Sequence, residues 1–379
     1  MVYLDNAATS FPKPKGMLYA MNECMRDYCG NPGRSGHWMS MKTGEKIYQT
    51  RNEIGKMFGI PDCSRILFTS NTTEALNQGI KGSLKSGDHV ITTSMEHNSV
   101  LRPIKALEEI GVESTIIKCN TDGTLNLEAL KREMKENTRL IVVTHASNIT
   151  GTIMPVKEIG NLAKRMKIPF MVDGAQSAGC IPIDVNDMNI SMLALPGHKG
   201  LLGPMGTGVL YVREDIDLEP LKQGGTGTRS KDLSQPNEFP EGFESGTVNA
   251  PGIVGLGYSV RYVSSVGIEQ IRAYEEALIK RLDEALRNMN GVTVYGPSDC
   301  RKKTGVVLFN LRKMDCEEVC EKMSTTYGIA SRGGFHCAGL AHKTIGTYDR
   351  GAVRLSVGPA NTMKDISKAI EAVYQLQKL

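Results

Sequence analysis

The sequence predicts an α/β chain in which a large unit with a mainly parallel sheet is accompanied by a smaller α+β unit. Strand-like and helix-like segments alternate from about residue 46 to residue 215, the order that parallel strands and their crossover helices require. After Asn249-Ala-Pro251 the alternation becomes irregular. At 379 residues the chain is long enough for two domains and a large core.

Taken in order, Arg65-Ile-Leu-Phe-Thr-Ser70 reads as a strand and Asn71-Thr-Thr-Glu74 as a helix start, since Asn71 and Glu74 stand at capping-box spacing. Val90-Ile-Thr-Thr, Ser114-Thr-Ile-Ile-Lys, Leu140-Ile-Val-Val-Thr, Phe170-Met-Val and Val209-Leu-Tyr-Val are β-rich and read as further strands. Helices are expected over Val100 to Ile110, Leu127 to Glu136 and Val156 to Met166. Residues 222 to 246 are rich in Gly, Thr, Ser and Pro without periodicity, and a loop of that length in a compact protein is usually functional or mobile. A long helical pattern then runs to about Asn290. Strands at Val292-Thr-Val-Tyr and Gly305-Val-Val-Leu-Phe, a helix, a cysteine-bearing loop, the strand Ala352-Val-Arg-Leu-Ser and a last helix from Met363 complete the chain.

The net charge of +4 comes from 45 basic and 41 acidic residues without long runs, so neither nucleic acid nor an anionic membrane is an expected partner. No apolar stretch approaches the ~20 residues of a membrane span. The start, Met-Val-Tyr-Leu-Asp-Asn, lacks the basic and apolar regions of a secretory signal, so a cytoplasmic location is expected. Nine scattered cysteines read as reduced thiols rather than a disulfide framework. Cys316 and Cys320 share a helix face, but no second pair with zinc-like spacing accompanies them, so packing is the expected role and no metal is expected.

Four segments carry chemistry, each with a plainer alternative. Ser331-Arg-Gly-Gly-Phe-His-Cys-Ala338 places Cys337 in a flexible loop beside Arg332 and His336; a protonated His336 would join Arg332 in favouring the nucleophilic thiolate. The alternative is an inert buried cysteine. In Met192-Leu-Ala-Leu-Pro-Gly-His-Lys199, an apolar strand stops at a turn where burial would lower the lysine pKa, as a Schiff-base lysine needs, or where Lys199 is an ordinary loop cation. Asp173 ends the strand Ile168-Pro-Phe-Met-Val-Asp, where it holds a ring nitrogen protonated or merely caps a turn. The helix start at Asn71 offers free N–H groups and the hydroxyls of Thr72 and Thr73 to a phosphate, or is a plain cap.

Together these residues resemble the aminotransferase class V group of pyridoxal-phosphate enzymes, most closely group II cysteine desulfurases and selenocysteine lyases. Asn-Ala-Ala-Thr, Thr-Thr-Glu, Glu-His, Ser-Asn, Asp-Gly-Ala-Gln, Gly-His-Lys, Glu-Ser-Gly-Thr, Arg-Gly-Gly-Phe-His-Cys and Val-Arg-Leu-Ser occur in family order from Tyr3 to Thr362. The resemblance implies a fold type I enzyme with a mainly parallel seven-stranded sheet. Residues 16–250 would form the cofactor-binding domain, and 1–15 with 251–379 the small domain that carries the cysteine loop. It implies pyridoxal 5'-phosphate as cofactor, L-cysteine or L-selenocysteine as substrate, a sulfur-acceptor protein and a homodimer.

By the same resemblance, Lys199, Cys337 and His97 would be catalytic. Thr72, Thr73, His198 and a neighbouring subunit's Thr247 would hold phosphate. Asp173 would pair with the ring nitrogen, Asn148 and Gln176 with the ring hydroxyl region, and His97 would lie over the ring. Asn6, Ala7, Asn148, Arg332 and Arg354 would bind substrate, Arg354 clamping its carboxylate bidentately. The implied reaction converts cysteine to alanine and leaves a persulfide on Cys337; a selenocysteine lyase releasing selenide is the alternative. Two positions depart from the family: Pro196 stands where a Ser or Thr is common, and Gly339 where many relatives carry proline.

Overall fold

The computed structural model describes residues 1–32 and 36–379. The chain enters through a two-residue strand, β1 (Val2–Tyr3), and then builds a seven-stranded sheet from β2 (Ile66–Thr69), β3 (His89–Thr93), β4 (Glu113–Ile117), β5 (Thr138–Thr144), β6 (Phe170–Asp173), β7 (Met192–Pro196) and β8 (Gly208–Val212). Their order is β2-β8-β7-β6-β5-β3-β4. Only β8 is reversed, pairing antiparallel with both β2 and β7, so the sheet is mainly parallel as expected.

Alternation along the central strands divides the large unit into two cores. Ile141 and Val143 of β5, Phe170 and Val172 of β6, and Leu193 and Leu195 of β7 face one core; Leu140, Val142, Met171, Met192 and Ala194 face the other. With both faces covered, these strands read as continuous apolar runs. Helices Trp38–Phe58 and Val156–Met166 cover the first face, and Thr72–Ser83 and Asn98–Glu108 the second.

A third core lies in the smaller unit. There β9 (Val292–Tyr295), β10 (Val306–Leu311) and β12 (Val353–Ser356) form an antiparallel sheet in the order β12-β10-β9, while β11 (Ile329–Ala330) pairs parallel with β1. Helices Ile268–Arg287, Cys316–Thr325 and Met363–Leu376 pack on it, burying Leu278, Leu282, Cys316, Val319, Ile366 and Val373.

Helix Val156–Met166 has the expected bounds, whereas the helix expected over Val100 to Ile110 spans Asn98–Glu108 and that over Leu127 to Glu136 ends at Arg132. The single long helix expected up to Asn290 is two helices, Ala250–Val266 and Ile268–Arg287. Gly267 separates them at φ 92°, a conformation that residues with a Cβ rarely adopt. The first of the two buries Ile253, Leu256 and Val260 in the large unit and the second buries Leu278 and Leu282 in the small one, so the core changes at Gly267. The boundary expected at 250/251 falls where the first helix begins.

Because β2, β3, β5, β6 and β7 run the same way, their last residues, Thr69, Thr93, Thr144, Asp173 and Pro196, lie along one edge of the sheet. In open α/β sheets this carboxyl edge is where ligands bind.

Candidate active site

The turns leaving that edge converge on one cleft, lined by Thr72 and Thr73 after β2, His97 and Ser99 after β3, Asn148 after β5, Asp173 and Gln176 at β6, and His198 and Lys199 after β7. Each is near the cleft because its strand ends there. The carbonyl of His198 accepts hydrogen bonds from the Ser10 backbone N–H at 3.0 Å and from Lys13 Nζ at 2.7 Å, so the amino-terminal segment pins the lysine turn.

Lys199 is the cleft's cation. Burial lowers its pKa to about 8, with Asp173 opposing and Arg354 and Arg332 reinforcing the shift. Asp173 is only 3% exposed, and burial raises its pKa. Its Oδ1 accepts the Ala175 backbone N–H at 2.9 Å. A carboxylate so desolvated favours a cationic partner in the cleft. The capping alternative is therefore also present, yet it occupies one oxygen only.

His97 caps helix Asn98–Glu108. Its Nδ1 accepts the Ser99 backbone N–H at 3.0 Å, which leaves the proton of the neutral ring on Nε2. Burial, then the charges of Lys199 and Arg332, lower its pKa to about 4. The ring is neutral at physiological pH.

The phosphate residues fit an anion. Asn71 Oδ1 accepts the Glu74 N–H at 2.9 Å and caps helix Thr72–Ser83, whose first N–H groups remain available. Thr72 Oγ1 and His198 Nδ1 are buried without a hydrogen-bond partner. Buried polar atoms are seldom left so, and both line this cleft. Thr73 is exposed there, its hydroxyl 2.8 Å from Ser99 Oγ. Gly208 keeps the turn tight: a Cβ there would lie 2.5 Å from the Asn71 carbonyl carbon. Thr247 lies elsewhere, exposed in an adjoining groove with Ser70 and Glu74.

The small unit closes the cleft through backbone contacts. Arg354, on β12, is 2% exposed; it donates from Nη1 to the Asn148 carbonyl and from Nη2 to Asp5 Oδ1, each at 2.9 Å. Its Nε is buried and unpartnered. Asn148 Nδ2 donates to the His336 carbonyl at 2.8 Å, and the Asn98 backbone N–H donates to the Cys337 carbonyl at 2.9 Å. Asn6 and Ala7 join Gln176 and Lys199 in a second hollow that also borders the lysine, and Gln176 Nε2 donates to the Ala7 carbonyl at 3.0 Å.

Cys337 is exposed, at φ 56°, and shares a groove with Thr73, His97 and Ser99, which also line the Lys199 cleft. The lysine cleft and the cysteine groove thus adjoin, with Thr73, His97 and Ser99 as their common wall. His336 corrects the expectation of a protonated neighbour. It is buried, and desolvation followed by the charge of Arg354 lowers its pKa to about 3. It stacks on His342 as a neutral ring.

Sequence reading passed over three neighbours. Asp5 neutralises Arg354, Ser99 links Thr73 to His97, and Glu96 accepts from Thr93 Oγ1 at 2.6 Å and from the Thr144 N–H at 2.9 Å, tying the end of β3 to β5. Each adjoins a residue that was singled out in its motif.

Residues 2–369 match the aminotransferase class V family. A probable cysteine desulfurase of Methanothermobacter thermautotrophicus is 35% identical over 383 residues, spanning 99% of this chain and 94% of that protein. A cysteine desulfurase of Shigella sonnei is 33% identical over 390 residues, spanning 100% and 94%. Among solved structures, the apo cysteine desulfurase from Thermococcus onnurineus NA1 superposes with a TM-score of 0.93 at 35% identity, covering 100% of this chain and 94% of that one. With a match over nearly its whole length and this identity to full-length relatives, the chain belongs to the aminotransferase class V family.

Proposed function

We propose that this chain is a pyridoxal-phosphate-dependent cysteine desulfurase that converts L-cysteine to L-alanine and stores the sulfur on Cys337. The observation that carries the reading is that the cleft holding a desolvated lysine and a buried acid adjoins the groove of an exposed cysteine, the two sharing Thr73, His97 and Ser99. The cysteine desulfurases among the relatives support it.

Thr72, Thr73 and His198 would hold the cofactor phosphate, Asp173 its ring nitrogen, and Asn148 and Gln176 its hydroxyl side. When bound, the cofactor supplies a sink for the electron pair left at the substrate Cα. Arg354 grips the substrate carboxylate, and a pKa of about 8 leaves part of the Lys199 population neutral near pH 7, able to take the Cα proton. Neutral His97 offers its Nε2–H to the cleft. The Cys337 thiolate attacks the substrate sulfur; an S–S bond forms, the C–S bond breaks, and its electron pair stays with the carbon skeleton, which leaves as alanine once protonated.

A second copy of the chain would complete the enzyme. Leu18, Tyr19, Met25, Trp38, Met41 and Tyr48, on or beside helices Lys15–Glu23 and Trp38–Phe58, form an exposed apolar set suited to a homodimer. Thr247, outside its own cleft, would then serve the partner's phosphate site. No helix among the described residues is long and apolar enough to cross a membrane, and the cytoplasm is the proposed place of action.

The test is single-turnover alanine formation with labelled cysteine. Wild-type protein is expected to give alanine and label on Cys337 in equal amounts, and Cys337→Ala to give neither. Undiminished desulfuration by Cys337→Ala would overturn the reading, while selenide release that persists there would redirect it to selenocysteine.

A further inference from the structure

Two buried side chains that the proposed reaction leaves unused, His342 and Thr347, form a chain with His336. His342, on the short helix Gly339–Ile345, is fully buried, and Thr347, just past that helix, is 1% exposed. The Phe335 ring packs edge-on against His342, with 5.4 Å between centroids. Burial lowers the pKa of His336 to about 3 and that of His342 to about 4, so each ring is neutral and carries one proton. His336 Nε2 lies 3.2 Å from the Arg332 carbonyl, His336 Nδ1 lies 3.5 Å from His342 Nε2, and His342 Nδ1 lies 2.7 Å from Thr347 Oγ1. A carbonyl only accepts, so the His336 proton sits on Nε2 and its Nδ1 is a bare lone pair. The ring nitrogen that faces this lone pair must donate, which puts the His342 proton on Nε2 as well, and Thr347 then donates its O–H to His342 Nδ1. Every proton of the chain points toward Arg332.

The chain ends where the backbone is strained. His336 and Cys337 take φ 50° and 56°, two consecutive left-handed residues whose Cβ atoms are crowded there. Asn148 and Asn98 of the large unit hold the His336 and Cys337 carbonyls, whereas the imidazole chain is the small unit's hold on the His336 ring. We propose that Thr347 and His342 are positioning residues for Cys337: by fixing the His336 ring against the Arg332 carbonyl, they keep the left-handed turn in the form that delivers the thiol to the substrate sulfur. The proposal rests on the desulfurase reading above. The Arg332 carbonyl also accepts the Arg354 backbone N–H at 2.8 Å, so the thiol and the proposed carboxylate grip share one frame. Without the Thr347 hydroxyl, a buried imidazole lone pair loses its donor and the ring is free to turn. Lys199 lies outside this chain, on the turn after β7 of the large unit, so the disturbance reaches the thiol and spares the lysine.

The experiment compares two steps in the holoenzymes of the parent, Thr347→Val and Thr347→Ser. Single-turnover alanine formation from L-cysteine reads the thiol, and deuterium exchange at the Cα of L-alanine reads Lys199 without it. Thr347→Val is expected to slow the first about 10- to 100-fold, the cost of a misplaced nucleophile, and to leave the second within about twofold, while Thr347→Ser, which keeps the donor, should match the parent in both. A role in packing alone would lower both steps together or leave the serine variant as slow as the valine one. Either result, or a valine variant as fast as the parent in both steps, would overturn the proposal. The direction of the chain is read in the parent itself, where no variant has to fold: with 15N-labelled histidine, two-bond proton–nitrogen correlations should show His336 and His342 both protonated on Nε2 from about pH 6 to about pH 9. An Nδ1–H tautomer at either ring would overturn it too. A parent that yields no alanine from cysteine would instead sink the desulfurase reading, and this proposal with it.

Discussion

Replacing Arg354 by lysine separates charge from geometry at the carboxylate site. In the parent protein Nη1 and Nη2 hold the Asn148 carbonyl and Asp5 at 2.9 Å each, while Nε is buried without a partner, so the proposed carboxylate contact would use Nε or displace one of the Nη acceptors. A lysine keeps Asp5 neutralised but cannot also reach a backbone carbonyl and a substrate carboxylate with a planar fork. Losing one charge-assisted hydrogen bond costs about 1.5–3 kcal/mol, which is about a 10- to 150-fold weaker Kd. The assay is a titration of the holoenzyme with L-alanine, the proposed product, which carries the same carboxylate and no sulfur to transfer, followed by cofactor absorbance. A Kd within twofold of the parent value, in a variant with unchanged thermal stability, would refute the placement of Arg354 at the carboxylate.

The apo protein should react with pyridoxal phosphate at a rate that rises about tenfold per pH unit and levels off near pH 8, because burial has lowered Lys199 from its ordinary value. A rate still climbing at pH 10 would show an ordinary lysine. Thr72→Val should weaken cofactor binding several-fold yet leave the apo protein as stable or more so, since its buried hydroxyl has no partner there; a destabilised apo variant with normal affinity would contradict this. In the small unit, Asp283 meets both Lys303, fully buried, and Arg287 Nε at 2.6 Å. Asp283→Asn strands the buried ammonium and should cost about 3–5 kcal/mol in urea unfolding, whereas Lys303→Met leaves the Arg287 pair and should cost less. The reverse order would refute that account.

Local chemistry was legible from the chain itself. The parallel-sheet order followed from β-rich runs alternating with amphipathic stretches, and the phosphate helix followed from a cap residue and an acid three positions on, both of which the structure retains. The glycine between two helices was missed because the apolar pattern continues across it, and only the backbone angle at Gly267 reveals the break. His336 was misjudged for a related reason. Its neighbours in sequence are an exposed phenylalanine and an exposed cysteine, but its neighbours in space are His342 and Arg354, and the loss of water there holds the ring neutral. Residue types and spacings thus determined which groups are capable of imine, acid and thiol chemistry, because those are properties of side chains and short segments. Tertiary structure alone decided which of them meet and in what charge state, because desolvation and the field of distant groups such as Asp5 and Arg354 depend on contacts between residues up to hundreds of positions apart.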